Sequence, residues 1–500
     1  MNKLFLFVRP PRPIWPFNGP STSFWPPLAF ASMAAMLRRH CPDWRVEILD
    51  APPLEMGWRS LERELRARRP AVIAMGEEAV SCAECLRLAR LGKKLGAKVV
   101  AGGCFFGHVA PRVLQTGFVD VVAHGEGENT IVELAHALRD DSAAALDAVA
   151  GISFVRDGEV VRTQPRPLIK NLDDLPMPAW DLLPMHRYGA GSRNHPGLAA
   201  IESSRGCFDA CDFCVLWRQM GNFISGQTRP FVRFKSVPRL LEEIKIQTRD
   251  FGRRYLGWVD PCFNAHPQIP AELAGSLLRE NISVGQCAWV RADCLVRDAK
   301  SGALATMVRG GLNEVYVGVE RPDDEGLKNV HKSTTIPVVR EAFEILAREH
   351  PRVFTLGTFI YGLPGDTPET MRAIFRLSHE LEMNHAFFIP LTPLPGTPFW
   401  RDELWDDTGE NFRDFNFLPS AIQSGSRRDL EWALLVAAAF HWTPARVRTH
   451  LRGLKRSGTR KRRVTLHLAA RTAWFAAHGM LRGLLTGHRA GMIFPRWYES

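Results

Sequence analysis

Short apolar runs separated by amphipathic stretches of helix length recur twice along this 500-residue chain, and that rhythm sets the fold it can adopt. In residues 1–145, LFLFV (4–8), VEILD (46–50), AVIAM (71–75), KVVAGG (98–103) and VDVVAH (119–124) read as strands. The stretches LAFASMAAMLRRH, WRSLERELRARR, SCAECLRLARLGKKLG and TIVELAHALRD read as helices. This alternation implies βαβ units and a parallel, doubly wound (Rossmann-like) sheet. Ligands of such sheets bind beyond the carboxyl ends of the strands. Those ends carry Arg9-Pro10-Pro11, Asp50-Ala51-Pro52, Gly76-Glu77-Glu78, Gly102-Gly103-Cys104 and His124-Gly125-Glu126-Gly127-Glu128.

Residues 146–197 read as a connector, with a hairpin signal at Asp157-Gly158 and a Pro-rich DLPMPAWDLLP. From 198 to 400 the alternation resumes with six strands: 198–204, 255–260, 283–290, 314–320, 354–362 and 385–391. Six parallel units suggest a partial (β/α)6 barrel, with its active site at the C-terminal ends of the strands. Residues 401–500 read as a helical C-terminal region.

The loop after the first barrel strand, SSRGCFDACDFCVLW, spaces Cys207, Cys211 and Cys214 as C-x3-C-x2-C. Soft thiolates suit zinc or an iron–sulfur cluster. No fourth Cys or His lies nearby, whereas a structural zinc site is closed by four ligands. A [4Fe–4S] cluster held by three cysteines keeps one iron free for a small molecule. The blander alternatives are three buried thiols or an incomplete zinc knuckle.

C-x3-C-x-aromatic-C after the first strand of a partial barrel resembles the radical S-adenosylmethionine (SAM) superfamily. The resemblance implies that Cys207, Cys211 and Cys214 hold a [4Fe–4S] cluster whose open iron binds SAM. One electron then cleaves SAM to methionine and a 5′-deoxyadenosyl radical, which abstracts hydrogen from an unactivated carbon. It also implies an electron donor such as flavodoxin or ferredoxin. Phe213 matches the aromatic position near the adenine, and Glu320 an acidic position facing SAM. Gly362-Leu363-Pro364-Gly365 resembles the family's adenine-contacting turn, although a bare G-x-x-G fits any tight turn. Arg291, after the third strand, reads either as a contact to the SAM carboxylate or as an ordinary surface arginine, and Asp260, at the end of the second strand, as a polar contact to SAM or substrate. Pro393, Pro395 and Gly396 match a loop that shapes the substrate mouth.

The N-terminal series FWPPLAFASMAAML … ILDAPP … AVIAMG … VVAGGCFFGH … DVVAHGEGENTIVEL resembles the cobalamin-binding domain that precedes many radical SAM barrels. Gly102 and Gly103 would let the backbone approach the cofactor, and Gly125, Glu126 and Gly127 form a second expected contact. The D-x-H-x2-G motif that supplies a cobalt ligand elsewhere is absent; His108 and His124 read as hydrogen-bonded loop histidines. Cys82 and Cys85 read as structural. FCVLW and FNFLPSAI add a similarity to the anaerobic magnesium-protoporphyrin IX monomethyl ester cyclases and related methylases.

The leading expectation is a cobalamin-dependent radical SAM enzyme that C-methylates a large, hydrophobic or tetrapyrrole-like small molecule. An oxidative cyclase, a tRNA methylthiotransferase and a non-enzymatic cobalamin or metal carrier are the alternatives. Hydrogen abstraction needs no dedicated acid–base residue, so no catalytic side chain is nominated. Trp25, Trp217, Trp258, Trp289 and Trp400 point to a greasy substrate. The net charge of +11 is concentrated in residues 446–500, which hold thirteen Arg/Lys against one acid, Glu499. This tail reads as a solvated helix face closing the fold, as a peripheral membrane contact or as a site for an anionic ligand; nucleic acid is disfavoured because no nucleic-acid module accompanies it. No apolar run spans about 18 residues and no signal peptide is evident, so a cytoplasmic protein is expected.

Overall fold

A computed structural model describes residues 3–14, 25–76, 79–139, 143–192, 194–224, 227–414, 443–444, 461–467, 469–470 and 494–500. The first unit contains five parallel strands: β1 (Lys3–Arg9), β2 (Trp44–Asp50), β3 (Val72–Met75), β4 (Lys98–Ala101) and β5 (Val121–Ala123). Their order is β2-β1-β3-β4-β5. The alternation of strand side chains serves two cores at once. Leu4, Leu6 and Val8 enter one with the helix Cys82–Lys94, while Phe5 and Phe7 enter the other with Leu28–His40 and Gly127–Arg139.

The expected hairpin forms as β6 (Ile152–Arg156) and β7 (Glu159–Arg162), but it is not confined to a connector. β6 pairs antiparallel with β5 and extends the sheet to seven strands. It covers an edge that would otherwise expose Val121 and Val122, and buries Ile152 and Phe154.

The second unit is a six-stranded parallel sheet: β8 (Leu198–Ile201), β13 (Tyr255–Trp258), β14 (Gly285–Val290), β15 (Leu312–Glu320), β16 (Phe354–Tyr361) and β17 (His385–Pro390), in that order. Between β8 and β13 lie four short strands: β9 (Ser204–Cys207), β10 (Asn222–Ile224), β11 (Gln227–Arg229) and β12 (Phe231–Phe234). The expected first strand, 198–204, therefore splits. Asp260 captures Ser203 and Ser204, and the chain turns into β9, which pairs antiparallel with β12.

Along β15, Val315, Val317 and Val319 join the core beneath the helices, so Glu314, Tyr316, Gly318 and Glu320 face inward. The described tail helix closes this interior: Val464 packs on Phe354 and Leu356, and Lys461 Nζ donates to the Pro351 carbonyl at 2.9 Å. Burial lowers the Lys461 ammonium to about 8. The extreme C-terminus returns to the first unit, where Tyr498 donates to Glu84 at 2.8 Å. FNFLPSAI and most of the basic tail lie outside the described residues, and with them the membrane-contact expectation. Among the described residues, no helix is long and apolar enough to cross a membrane.

Candidate active site

The three cysteines lie beyond the C-terminal end of β8. Cys207 ends β9, opposite Phe231 on β12. Gly206 has φ 99°, and a Cβ there would lie 1.9 Å from the Phe231 carbonyl oxygen; only glycine fits. Cys211 and Cys214 follow in a turn closed by Cys214 N–H to the Cys211 carbonyl at 3.1 Å. Trp217, from the short helix Leu216–Met220, donates Nε1–H to the same carbonyl at 2.9 Å.

Burial pushes all three thiols up. Opposing it, the Asp209 N–H faces the Cys207 sulfur, and the Leu216 and Trp217 N–H groups face Cys214. Buried sulfurs met by backbone donors suit thiolates whose charge a metal group neutralises. Among the described residues, no three Cys, His, Asp or Glu side chains converge on one point as a single metal ion requires. A cubane asks for something else, since each cysteine binds a separate iron.

A strap at residues 330–334 holds this loop. Asp209 accepts from Ser333 Oγ at 2.6 Å and from Ser333 N–H at 3.1 Å, and pairs with Arg291. Asp212 N–H donates to the Val330 carbonyl at 3.1 Å. Arg291 further binds both Asp293 oxygens at 3.0 Å and the Ser333 carbonyl at 2.8 Å. Its visible work is thus to anchor the cysteine loop rather than to reach a ligand. Asp260 is similar: its buried carboxylate, raised to about 6 by desolvation, accepts from Ser203 N–H and from both serine hydroxyls. It fixes the β8–β9 break and does not face an opening.

Glu320 is different. It sits at φ 68°, in the left-handed region, at a register shift between β15 and β16. Such irregularities re-aim a side chain. Its Oε1 meets Thr358 Oγ1 at 3.3 Å and Lys332 Nζ at 3.9 Å. Burial raises the carboxyl; on Lys332 burial is outweighed by Glu320 and Cys211, so the ammonium stays charged. Lys332 was not anticipated, because a lysine in a loop is ordinarily a solvated charge.

Phe213 packs with Val330, Ile360, Leu363 and Leu391, which brings the cysteine loop against the Gly-rich turn. That turn is set by φ 80° at Gly362 and 89° at Gly365. Asp366 accepts from Leu363 N–H at 3.0 Å and is paired with Arg321. Pro364 occupies its crest.

The first unit faces this site across a cavity of about 420 Å³ lined by His108, Arg218, Gln227, Thr228 and Gly396. His108 Nε2 is buried there without a hydrogen-bond partner. Gly103 and Gly125, at φ 88° and 67°, have nothing near a hypothetical Cβ, so open space lies above them. Gly102 forms the extended entry to this cradle. An orphaned imidazole and a glycine cradle at the sheet's carboxyl edge fit a large planar ligand. Gly127 serves packing instead: a Cβ would lie 2.6 Å from the Met33 sulfur. Glu126 is not available to a cofactor either, because Arg205, Arg233 and the Ile169 N–H occupy its carboxylate. His124 bonds Ser153 Oγ at 2.8 Å, as expected of a loop histidine. Cys82 and Cys85 are buried in the first unit's core.

Of the tryptophans, Trp258 lies wholly in the core and Trp400 packs on the first unit. Trp25 and Trp289 line the barrel interior with Tyr316.

Residues 15–135 match the B12 binding domain, and residues 201–378 match the Radical SAM superfamily. An uncharacterized methyltransferase from Pyrococcus horikoshii is 27% identical over 75% of this chain and 78% of its own. The anaerobic magnesium-protoporphyrin IX monomethyl ester cyclase of Rubrivivax gelatinosus is 24% identical over 81% of this chain and 72% of its own. The hopanoid C-3 methylase of Methylococcus capsulatus is 28% identical, covering 78% and 71%. The radical SAM methyltransferase TsrM of Kitasatospora setae shares the fold, with a TM-score of 0.62 and 19% identity over 79% of this chain and 75% of its own. The [4Fe–4S] cluster, SAM and cobalamin are accordingly the cofactors. With a B12 binding domain followed by a radical SAM domain, the chain has the domain order of a cobalamin-dependent radical SAM enzyme and resembles the anaerobic porphyrin cyclases and hopanoid methylases.

Proposed function

We propose that this enzyme transfers a methyl group to an unactivated carbon of a large, apolar, polycyclic small molecule. The carrying observation is the barrel interior, where Trp25, Trp289, Tyr316 and Phe387 form an aromatic wall on the inward face. Phe208, Phe223 and Phe231 stand exposed on the segments that bear and flank the cysteines. Glu314 interrupts this wall and is occupied by the Tyr316 hydroxyl, which donates to it at 2.8 Å; the aromatic area around it would exclude water and hold a flat hydrocarbon by contact. The hopanoid and porphyrin relatives act on molecules of that kind.

In this reading Cys207, Cys211 and Cys214 hold the cluster, and Glu320, Lys332, Phe213 and the Gly362–Gly365 turn surround SAM. Gly102, Gly103 and Gly125 would let the backbone approach the corrin. When bound, the reduced cluster supplies the electron that cleaves SAM, and cobalamin carries the methyl group. The protein orients both and keeps water out. Flavodoxin or ferredoxin would supply the electron. The functional units are residues 1–145 extended by the β6–β7 hairpin, a linker to 197, the barrel to 400 and the C-terminal region.

The test is anaerobic reconstitution with cobalamin, reductant and SAM, beside a Cys207/Cys211/Cys214→Ala control. Formation of 5′-deoxyadenosine together with S-adenosylhomocysteine supports the methylase. Deoxyadenosine alone supports the cyclase, the second reading, which the Rubrivivax relative favours. Neither product, with no iron retained, sinks both.

A further inference from the structure

Glu126 and Glu128 lie where the last parallel strand of the first unit ends, yet they point into the second. Arg205, two residues before Cys207, donates Nη1–H to Glu126 at 2.9 Å, Nη2–H to Glu128 at 2.6 Å and Nε–H to Glu202 at 2.8 Å. Arg233 faces Arg205 directly across the β9–β12 ribbon. Its Nη1 reaches both Glu126 oxygens at 2.9 Å and the Ile169 carbonyl at 2.7 Å. None of these five side chains is more than 15% exposed.

Two arginines opposite one another on adjacent strands repel. Two of the three carboxylates that offset this repulsion come from the other unit. Each unit has its own apolar core, so the network is not what folds either one. What it does fix is the position of the Cys207 strand relative to the Gly125–Glu128 loop. We propose that Arg205 is a positioning residue that locks the cysteine-bearing ribbon to the B12-binding unit and so sets the register between the two cofactor sites. This rests on assigning the cluster to Cys207, Cys211 and Cys214.

The experiment uses the full chain, wild type and Arg205→Gln, Arg205→Lys and Glu128→Gln. Hydrogen exchange is followed in 204–207 and 231–234, with iron content, 5′-deoxyadenosine and S-adenosylhomocysteine measured after reconstitution. On the proposed methylase reading, deoxyadenosine would form within the barrel unit, whereas S-adenosylhomocysteine would require SAM and cobalamin to meet across the boundary. Arg205→Gln is expected to speed ribbon exchange about ten-fold, with β1–β4 and β13–β16 unchanged. S-adenosylhomocysteine should fall about ten-fold while iron and deoxyadenosine stay within about two-fold. Arg205→Lys should recover part of the loss, and Glu128→Gln should show a smaller loss of the same kind. Should Arg205→Gln fail to fold, Glu128→Gln carries the test alone. Wild-type ribbon exchange in the folded variants, or a parallel fall of both products, overturns the proposal. A wild-type protein that retains no iron overturns the cluster assignment and the proposal with it; iron-loaded wild type with unaltered variants overturns the proposal only.

Discussion

A Cβ on Gly318 would lie 2.3 Å from Glu320 Oε1 and 3.2 Å from Lys332 Nζ. The missing side chain on β15 is what lets an acid and an ammonium share the strand's end. Gly318→Ala should therefore displace the Glu320 carboxylate and weaken SAM binding about ten-fold, close to 1.4 kcal/mol, with iron content intact. Equilibrium dialysis with labelled SAM on the cluster-loaded protein measures it. Wild-type affinity in the variant would detach Glu320 from the SAM site.

Gly206 makes a sharper demand, because both its φ of 99° and the Phe231 carbonyl 1.9 Å from a Cβ exclude any side chain. Gly206→Ala should cost at least about 2 kcal/mol from the backbone conformation and the contact together. The loss should concentrate in the ribbon, so iron retention should fall further than the thermal midpoint. Iron analysis beside calorimetry decides; full iron loading in the variant would show that the ribbon does not set the Cys207 position.

The strands, the barrel and the cysteine triplet were legible because each rests on local pattern: period-two apolar runs, turn residues, fixed Cys spacing. Glu320 and the Gly362–Gly365 turn were singled out by the family resemblance and not by any local pattern of their own. What stayed hidden depends on partners distant in sequence. Nothing local distinguishes Asp260, held by Ser203 and Ser204, from an acid facing a ligand. Glu126 sat in a glycine-rich loop of the right kind, but its partners Arg205 and Arg233 lie far along the chain. The β6–β7 hairpin was readable, its docking on β5 was not, since edge pairing is decided by what else is near the edge. Lys332 gains meaning only once Gly318 leaves it room.

The loop that carries Glu126 also holds a pH-sensitive group. Burial depresses His124 to about 4 from 6.5, so the fold favours the neutral imidazole bonded to Ser153. A lowered base contributes stability that is fully present above pH 6.5 and lost as pH falls through about 4. His124→Gln should remove up to about one proton from the slope of stability against pH in that window. Thermal midpoints of both proteins across pH 4–7 give the difference; parallel curves would show that His124 does not titrate with unfolding.

The two units also meet through an aromatic contact that a double mutant can isolate. The Trp25 ring stands over Gly257 on β13, 2.6 Å from where a Cβ would be. Arg9, itself paired with Asp50, donates to the Trp25 carbonyl at 3.0 Å and so holds the main chain that carries the ring. Gly257→Ala should therefore lower the thermal midpoint through overpacking worth about 1–3 kcal/mol. Trp25→Ala removes a different quantity, the area that the ring buries against β13. In the double variant the overpacking has no partner, so the two losses should not add, with a coupling of about 1–2 kcal/mol. Strict additivity would mean that Trp25 does not rest on β13 in solution, and the aromatic wall of the barrel would then have to be drawn without it.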